Sequence, residues 1–374
     1  MKKTSLSAAL VLALTACSGS STPDAAAPPG SASPPSASAS EALPVTPAPS
    51  ASVASSPPAS ASAQVPAEPT AQEKAKAKAA AMLEKDRAKA AAEEAAEKTR
   101  WTPELHAAAK AVADKSYPNG HAAMLAVLAG KHRRPASPDR DHDRHPVETF
   151  DFYGLQPNMT VIELAPGEGW FTELLAPILA KRGKLYATNT DPNGPKEERT
   201  TFYGQRFRGF LDRSPEAYGK VETIIITPAA PKLGLEGKAD MVLMMRAMHG
   251  IVNSGKLDVW LGEVHKALKP KGIFAIEQHR AKPDAKPEES AKNGYLPEAW
   301  VIERVVAAGF KLVAKSEINA NPKDTKDHPE GVWTLPPTYR LGEVDHAKYA
   351  AIGESDRMTL RFEKVDAPPL ADRK

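Results

Sequence analysis

The chain has 374 residues and a formal charge of only +3, with 49 basic against 46 acidic side chains. So small a balance gives no support to a nucleic-acid binder, because phosphate recognition needs a concentrated basic surface; local basic runs such as His132-Arg133-Arg134 read as solvated charge. The single cysteine, Cys17, excludes a disulfide or a thiolate metal cluster within one molecule.

In chain order, Met1-Lys2-Lys3, the mostly apolar run from Leu6 to Leu14 and the ending Leu14-Thr15-Ala16-Cys17 form the charged, apolar and small-residue zones of a secretory signal. The apolar stretch is too short to cross a hydrocarbon core of about 30 Å as a helix. Its ending resembles the bacterial lipoprotein signal. That resemblance implies removal of residues 1–16 and lipidation at Cys17. Ser18 replaces the aspartate that commonly retains such lipoproteins in the inner membrane, which favours the outer membrane, with the folded domain in the periplasm. The lipid is the only membrane attachment expected. Residues 17–71 are almost entirely Ala, Pro and Ser, with isolated acids at Asp24, Glu41 and Glu68. Such a segment cannot offset chain entropy by burial, and it is predicted to be a disordered, partly polyproline-like tether.

Residues 72–100 lose proline and gain Ala, Lys and Glu, which predicts a charged helical stalk. Met82 and Leu83 are its only large apolar side chains, so no continuous stripe is available to bury. Glu94 and Lys98 support the helix at i,i+4, whereas Glu93 and Glu97 oppose it. Residues 101–146 read as a helical and polar cap. Trp101, Leu105, Val112, Met124, Leu125 and Leu128 give its first part helical, packable character. The polar run from Arg133 to Pro146 reads as a loop covering an active site, offering Asp141, Asp143, Arg144 and His145. The first two with His145 have metal-ligand chemistry, but alternation alone is weak evidence and no functional metal is expected.

Residues 147–366 alternate between strands and helices. Strands are predicted at Thr160 to Leu164 (β1), Lys184 to Thr188 (β2), Val221 to Thr227 (β3), Ala239 to Met244 (β4), Gly272 to Glu277 (β5), Lys311 to Ser316 (β6) and Arg357 to Lys364 (β7). Helices fall at Trp170 to Ala180, Phe202 to Leu211, Ser254 to Leu268 and Pro297 to Ala308. Short buried-type strands separated by helices predict a three-layer α/β sandwich around a mainly parallel sheet. Residues 367–374 read as a flexible tail.

The strongest local signal runs from Thr160 to Thr172 and contains Glu163-Leu164-Ala165-Pro166-Gly167-Glu168-Gly169-Trp170. It places a tight glycine turn between β1 and an amphipathic helix, where exposed amides favour polar or anionic groups. Nicotinamide enzymes use a similar turn, but the third fingerprint position here is Thr172 and not glycine, which weakens a pyrophosphate site. Asp191, beyond β2, stands where an acid can accept from ribose hydroxyls in either cofactor class.

Taken together, this turn, Arg246-Ala247-Met248-His249, the stretch from Ser316 to Thr325, Gly331-Val332-Trp333-Thr334-Leu335-Pro336-Pro337 and the segment from Gly353 to Met358 resemble class I S-adenosylmethionine-dependent methyltransferases. They are closest to a group of bacterial predicted methyltransferases. The resemblance covers about Arg140 to Lys364. It implies a Rossmann-like methyltransferase sandwich with an antiparallel last strand and S-adenosyl-L-methionine as cofactor. It puts Glu163, Pro166, Gly167 and Gly169 at the cofactor turn. The family's β2 acid would lie near Asn189, so ribose contact by Asp191 is a departure. The loop at Pro228-Ala229-Ala230 would pass beside the adenine.

Ligands of open α/β sheets gather beyond the carboxyl ends of the strands. That rule singles out Arg246 and His249 after β4, and Glu277, His279 and Arg280 at the end of β5. His249, then His279, are the candidate bases or substrate-orienting groups. Arg246 or Arg280 would meet an anionic substrate group, with Arg144, Glu277, Asn319 and Asn321 as further substrate contacts. The plainer alternatives are that His249 caps a neighbouring element, that His279 pairs with Glu277, and that Trp333 is a core anchor. The function expected is methyl transfer to a small molecule or an envelope component. A noncatalytic periplasmic binding or interaction module on the same fold is the alternative, and a nicotinamide-dependent oxidoreductase is disfavoured.

Overall fold

A computed structural model describes residues 70–365. The signal, Cys17, nearly all of the tether and the tail lie outside the described residues. The chain runs through α1 (Ala71–Arg100), α2 (Pro103–Ala113), α3 (Gly120–Leu128), α4 (Asp141–Arg144), α5 (Pro146–Tyr153), β1 (Thr160–Leu164), α6 (Trp170–Leu179), β2 (Lys184–Asn189), α7 (Arg199–Asp212), α8 (Pro215–Tyr218), β3 (Glu222–Ile225) and β4 (Ala239–Met245). It continues with α9 (Met248–Asn253), α10 (Leu257–Ala267), β5 (Leu268–His279), α11 (Pro287–Ser290), α12 (Glu298–Ala307), β6 (Phe310–Ser316), α13 (His346–Ile352) and β7 (Arg357–Lys364).

The seven strands order as β3-β2-β1-β4-β5-β7-β6. The first five are parallel, and β7 inserts antiparallel between β5 and β6. This is the expected three-layer Rossmann-like sandwich, with its antiparallel last strand. Alternation along β4 shows how the layers form: Met241, Leu243 and Met245 enter one apolar cluster, while Val242 and Met244 enter the other. Helix α6 closes the first cluster with Trp170, Phe171, Leu174 and Leu175, and α10 and α12 close the second with Trp260, Leu261, Val301 and Val305. Strand order reverses between β1 and β4, so the crevice beyond their carboxyl ends is the topological switch point.

Every residue of α6 is buried. The sheet covers one side, and Ala109, Tyr117, Ala123, Met124 and Val127 from the α2–α3 region share its core. The basic run His132-Arg133-Arg134 is a correction to the solvated reading. His132 and Arg133 are 1% and 4% exposed, and the Arg133 and Arg134 guanidiniums reach the buried Glu173 of α6 at 3.6 and 3.3 Å. The polar run after it is also more ordered than a loop. Pro138 and Pro146 each start a helical turn with their pre-set φ, and Asp139, Asp141 and Asp143 sit in first turns, where helix dipoles favour acids.

Two other boundaries moved for local reasons. Gly255, at φ +66°, follows the unexpected short helix α9 and delays the helix expected over Ser254 to Leu268, so that α10 begins at Leu257. β5 starts earlier and ends later than expected because Leu268 pairs with Ala239 and His279 with Arg357.

The stalk helix is present and begins with a capping box between Thr70 and Glu73. It does have a buried contact, Leu83, and it lies along α7. Asp86 meets Arg199 at 2.6 Å, Glu93 meets Arg206 at 2.7 Å, and Glu94 meets Arg213 at 2.8 Å. Glu93 and Glu97 therefore have partners that the helix periodicity alone could not supply, Arg206 and Arg213, while Glu97 also pairs with Arg100 one turn on in α1.

Candidate active site

The turn after β1 is held from both sides. Thr188 of β2 accepts a 2.8 Å hydrogen bond from the Ala165 amide, and buried Thr172 of α6 donates at 2.7 Å to Glu163. The second bond accounts for threonine at the third fingerprint position: the hydroxyl ties helix to strand. Burial raises the Glu163 carboxyl from 4.5 to about 7, against the lowering effects of Thr172 and Arg246.

The two glycines do different work. A β-carbon at Gly169 would stand 2.8 Å from the Phe210 ring, so this glycine lets α7 close on the turn. One at Gly167 would meet nothing within 4 Å, and both glycines hold positive φ, +60° and +78°. Ala165 and Gly167 are exposed, Pro166 lies between them, and Ala165 itself is left-handed at φ +48°. Among the described residues, the amides of Gly167 and Glu168 donate to no protein group. An exposed backbone turn with free donors at a switch point suits a small polar cofactor.

At the end of β2, Asn189 is buried, donates to the Gly204 carbonyl at 3.2 Å and so positions α7. Asp191 is exposed two residues farther on, and its Oδ1 caps the Asn193 amide at 2.9 Å. The segment at Pro228–Ala230 is exposed beyond β3, and the Pro228 carbonyl accepts from the Trp260 indole.

Beside the turn, the ends of β4 and β5 and the start of β7 bring charge together. Arg246 stands 3.2 Å from Glu277, and Arg357 stands 3.0 Å from Glu277 and 2.7 Å from Glu354. From the cap, Arg140 and Arg144 reach the same Glu354 at 2.7 and 3.1 Å. Arg144 lies over the Trp170 ring at 4.4 Å, and Arg246 over Phe171 at 5.2 Å, so the cluster leans on the first residues of α6. Burial alone would raise the Glu354 carboxyl; Arg357, Arg140 and Arg246 overcome it and hold the group below its ordinary value.

His249 and His279 approach each other with ring centroids 5.7 Å apart, and Trp333 stands 5.7 Å from His249. Burial pushes His249 down to about 4, with the Gln278 contact opposing. Burial, with His249, Arg246 and Arg357 nearby, pushes His279 well below its ordinary value. Gln278 Nε2 donates to the Gly294 carbonyl at 2.8 Å, which identifies it as the nitrogen, and it also faces His249 Nδ1 at 3.4 Å. The His279 carbonyl faces the same Nε2 at 3.4 Å, and the neutral His249 ring carries one N–H. Such a ring donates a hydrogen bond at neutral pH and is a weak base. His279 does not pair with Glu277; its Nδ1 lies 2.5 Å from Ser355 Oγ.

The remaining candidates hold the fold together. Arg280 pairs with Glu298, Glu317 and Asp356. Buried Asn319 donates to Thr149 and Thr359, and Asn321 donates to the carbonyls of Ile352 and Glu354. These contacts fasten the long β6–β7 excursion to α5 and β7, away from the ligand contacts expected of them. Trp333 is half-buried, with Arg340 over its ring at 4.6 Å. Asp141 faces Arg133, Asp143 faces His142, and His145 faces Asn319; among the described residues no three metal-ligating side chains gather.

Sequence reasoning missed Arg140, Glu354, Arg357 and Gln278 as site residues. Arg140 and Glu354 stand 214 positions apart, and no local period signals such a pair. The only available signal was their presence within segments that carry the family resemblance.

No family model matches the chain, and no curated protein matches it. Among solved structures it is similar to a SAM-dependent methyltransferase from Aquifex aeolicus, at 16% identity over 62% of this chain and 94% of that one, with a TM-score of 0.42. It is also similar to the [4+2]-cyclase SpnF, at 12% identity over 60% and 82%, TM-score 0.41. A third is the 1,6-didemethyltoxoflavin-N1-methyltransferase of Burkholderia thailandensis, with bound S-adenosylhomocysteine, at 15% over 62% and 82%, TM-score 0.37. At these values the fold class rests on the strand order and the antiparallel β7.

Proposed function

We propose that the protein is an S-adenosylmethionine-dependent methyltransferase acting on a small molecule or an envelope component. The observation that carries this reading is the open turn at Gly167, with free amides, at the switch point of a methyltransferase-type sheet. Gly167, Glu168 and Ala165 would offer main-chain contact to the cofactor, Glu163 would hold the turn, and Asp191 would offer a carboxylate at the ribose side. The bound cofactor supplies an electrophilic sulfonium methyl, whose carbon–sulfur bond breaks as the acceptor's nucleophile bonds to carbon.

The chain's own contribution is orientation and exclusion of water. Trp170 and Phe171 wall the cleft, and His249 offers a neutral N–H donor to an acceptor oxygen. The weak basicity of His249 fits an acceptor that needs little proton removal, or one whose proton leaves to water.

The leader and tether support a lipid anchor at Cys17, with the domain held on the periplasmic side of the outer membrane. Cys17→Ser should release the protein from the membrane fraction, and retention there would contradict the anchor. For the activity, isotope transfer from methyl-labelled S-adenosylmethionine into envelope extracts and small-molecule pools should label an acceptor. Saturable cofactor binding with no labelled product in any fraction would favour the noncatalytic module, and selective NAD binding would favour the oxidoreductase.

A further inference from the structure

Resting on the methyltransferase reading, we infer that the methyl acceptor is an anion whose carboxylate, phosphate or sulfate group docks between Arg140 and Arg246. Four guanidiniums, of Arg140, Arg144, Arg246 and Arg357, converge on two buried carboxylates, Glu277 and Glu354. Asp143 adds a backbone carbonyl to Arg357, while its carboxylate acts only at longer range. The cluster therefore holds a positive excess in a poorly solvated place, an arrangement that is unfavourable until an anion completes it.

The excess has a defined outlet. Arg144 and Arg357 are buried, at 3% and 2% side-chain exposure, whereas Arg140 and Arg246 keep 25% and 16%. Those two forks are the part of the cluster that solvent, and hence a ligand, can reach. Within the cluster Arg144 Nη1, Arg357 Nε and Glu277 Oε2 are buried without a hydrogen-bond partner, so the excess rests on the count of charges and not on spare donors. Arg246 also holds an unusual backbone: φ is +58°, fixed by a 2.6 Å bond from its amide to the Glu277 carbonyl. A side chain held in this way by its own strand end is pre-oriented, and planar guanidinium forks match carboxylate and phosphate oxygens in pairs. The Phe171 ring under Arg246, with the Trp170 ring under the neighbouring buried Arg144, strengthens the attraction by excluding water.

Calorimetric titration of the full chain with inorganic phosphate at low ionic strength tests the site, alone and with saturating S-adenosylhomocysteine. Saturable phosphate binding is expected in both cases. It should weaken by about tenfold or more in Arg140→Gln and in Arg246→Gln, the loss of one charge-assisted hydrogen bond. Arg304→Gln, whose guanidinium pairs with Asp258, should match the parent protein. Absence of saturable binding to the parent protein, or parent-like affinity in both cleft variants, overturns the proposal. Displacement of phosphate by S-adenosylhomocysteine also overturns it, because the forks would then serve the cofactor's own carboxylate. Near-UV circular dichroism checks folding, and the partly exposed Arg140→Gln carries the test if Arg246→Gln unfolds. Arginine-dependent phosphate binding without S-adenosylhomocysteine binding supports the anion site and overturns only the methyltransferase reading.

Discussion

Helix α1 and the cleft cluster are both built from arginine–carboxylate pairs, yet burial gives them opposite physics. Along α1, Asp86 is 35%, Glu93 42% and Glu94 32% exposed at the side chain, so solvent and salt compete with each pair. In the cleft, Glu277 and Glu354 are 0% and 5% exposed, and removal of one partner strands another charge in a poor solvent. The same chemistry makes a detachable strap in one region and a rigid, charge-biased wall in the other. Arg206 links the strap to the turn after β1, pairing with Glu93 of α1 and, at 3.1 Å, with Glu168.

The largest effect should come from the wall. Glu354→Gln leaves Arg140, Arg144 and Arg357 undercompensated and should destabilise the fold by about 3–5 kcal/mol in denaturant titration. A loss as small as that of an α1 pair would erase the contrast. The acid dependence sharpens it. The folded Glu354 carboxyl is depressed, so its stabilisation is present above the unfolded value of about 4.5 and is lost as pH falls through the folded value. That part of the acid loss should vanish in the variant.

Glu163 should behave in the opposite sense. Its folded value of about 7 exceeds the unfolded 4.5, so the folded state holds its proton more tightly and stability falls as pH rises from 4.5 through 7. Glu163→Gln, still able to accept from Thr172, should stabilise the protein at pH 8 by roughly 3 kcal/mol and by almost nothing below pH 4.5. A pH-independent difference would contradict the buried-acid assignment.

The smallest effects belong to the strap. Glu93→Gln should cost about 0.2–1 kcal/mol at most. Raising salt should speed amide hydrogen exchange in residues 71–100 while leaving the β4 and β5 amides protected. Equal salt sensitivity in both regions would break the comparison.

The same difference explains what was legible in the sequence. Strands β1, β4 and β7 and the glycine turn were readable because burial on both faces and a tight βα junction leave local marks: Val161 and Ile162, Val242 and Leu243, Gly167 and Gly169. The cleft wall was not, since Arg140 meets Glu354 only after the whole sheet has formed. His249 illustrates the limit from the chemical side. Its place after β4 was readable, but its weak basicity comes from burial, opposed by the contact with Gln278 of β5, neither of which is local in sequence.

The structure also identifies the cleaner probe of the turn. Gly169→Asp would clash with Phe210 and report on packing, whereas Gly167→Asp projects a charge into open space at a left-handed position, where its backbone strain is smaller than that of most other side chains. Calorimetric titration of the full chain and of Gly167→Asp with S-adenosylhomocysteine is therefore the most direct measurement. Saturable binding to the parent chain, abolished in a variant that still unfolds cooperatively and keeps the parent's near-UV circular dichroism, is the expected result. No binding to the folded parent chain, or equal affinity in the two proteins, would contradict the cofactor turn and the activity built on it.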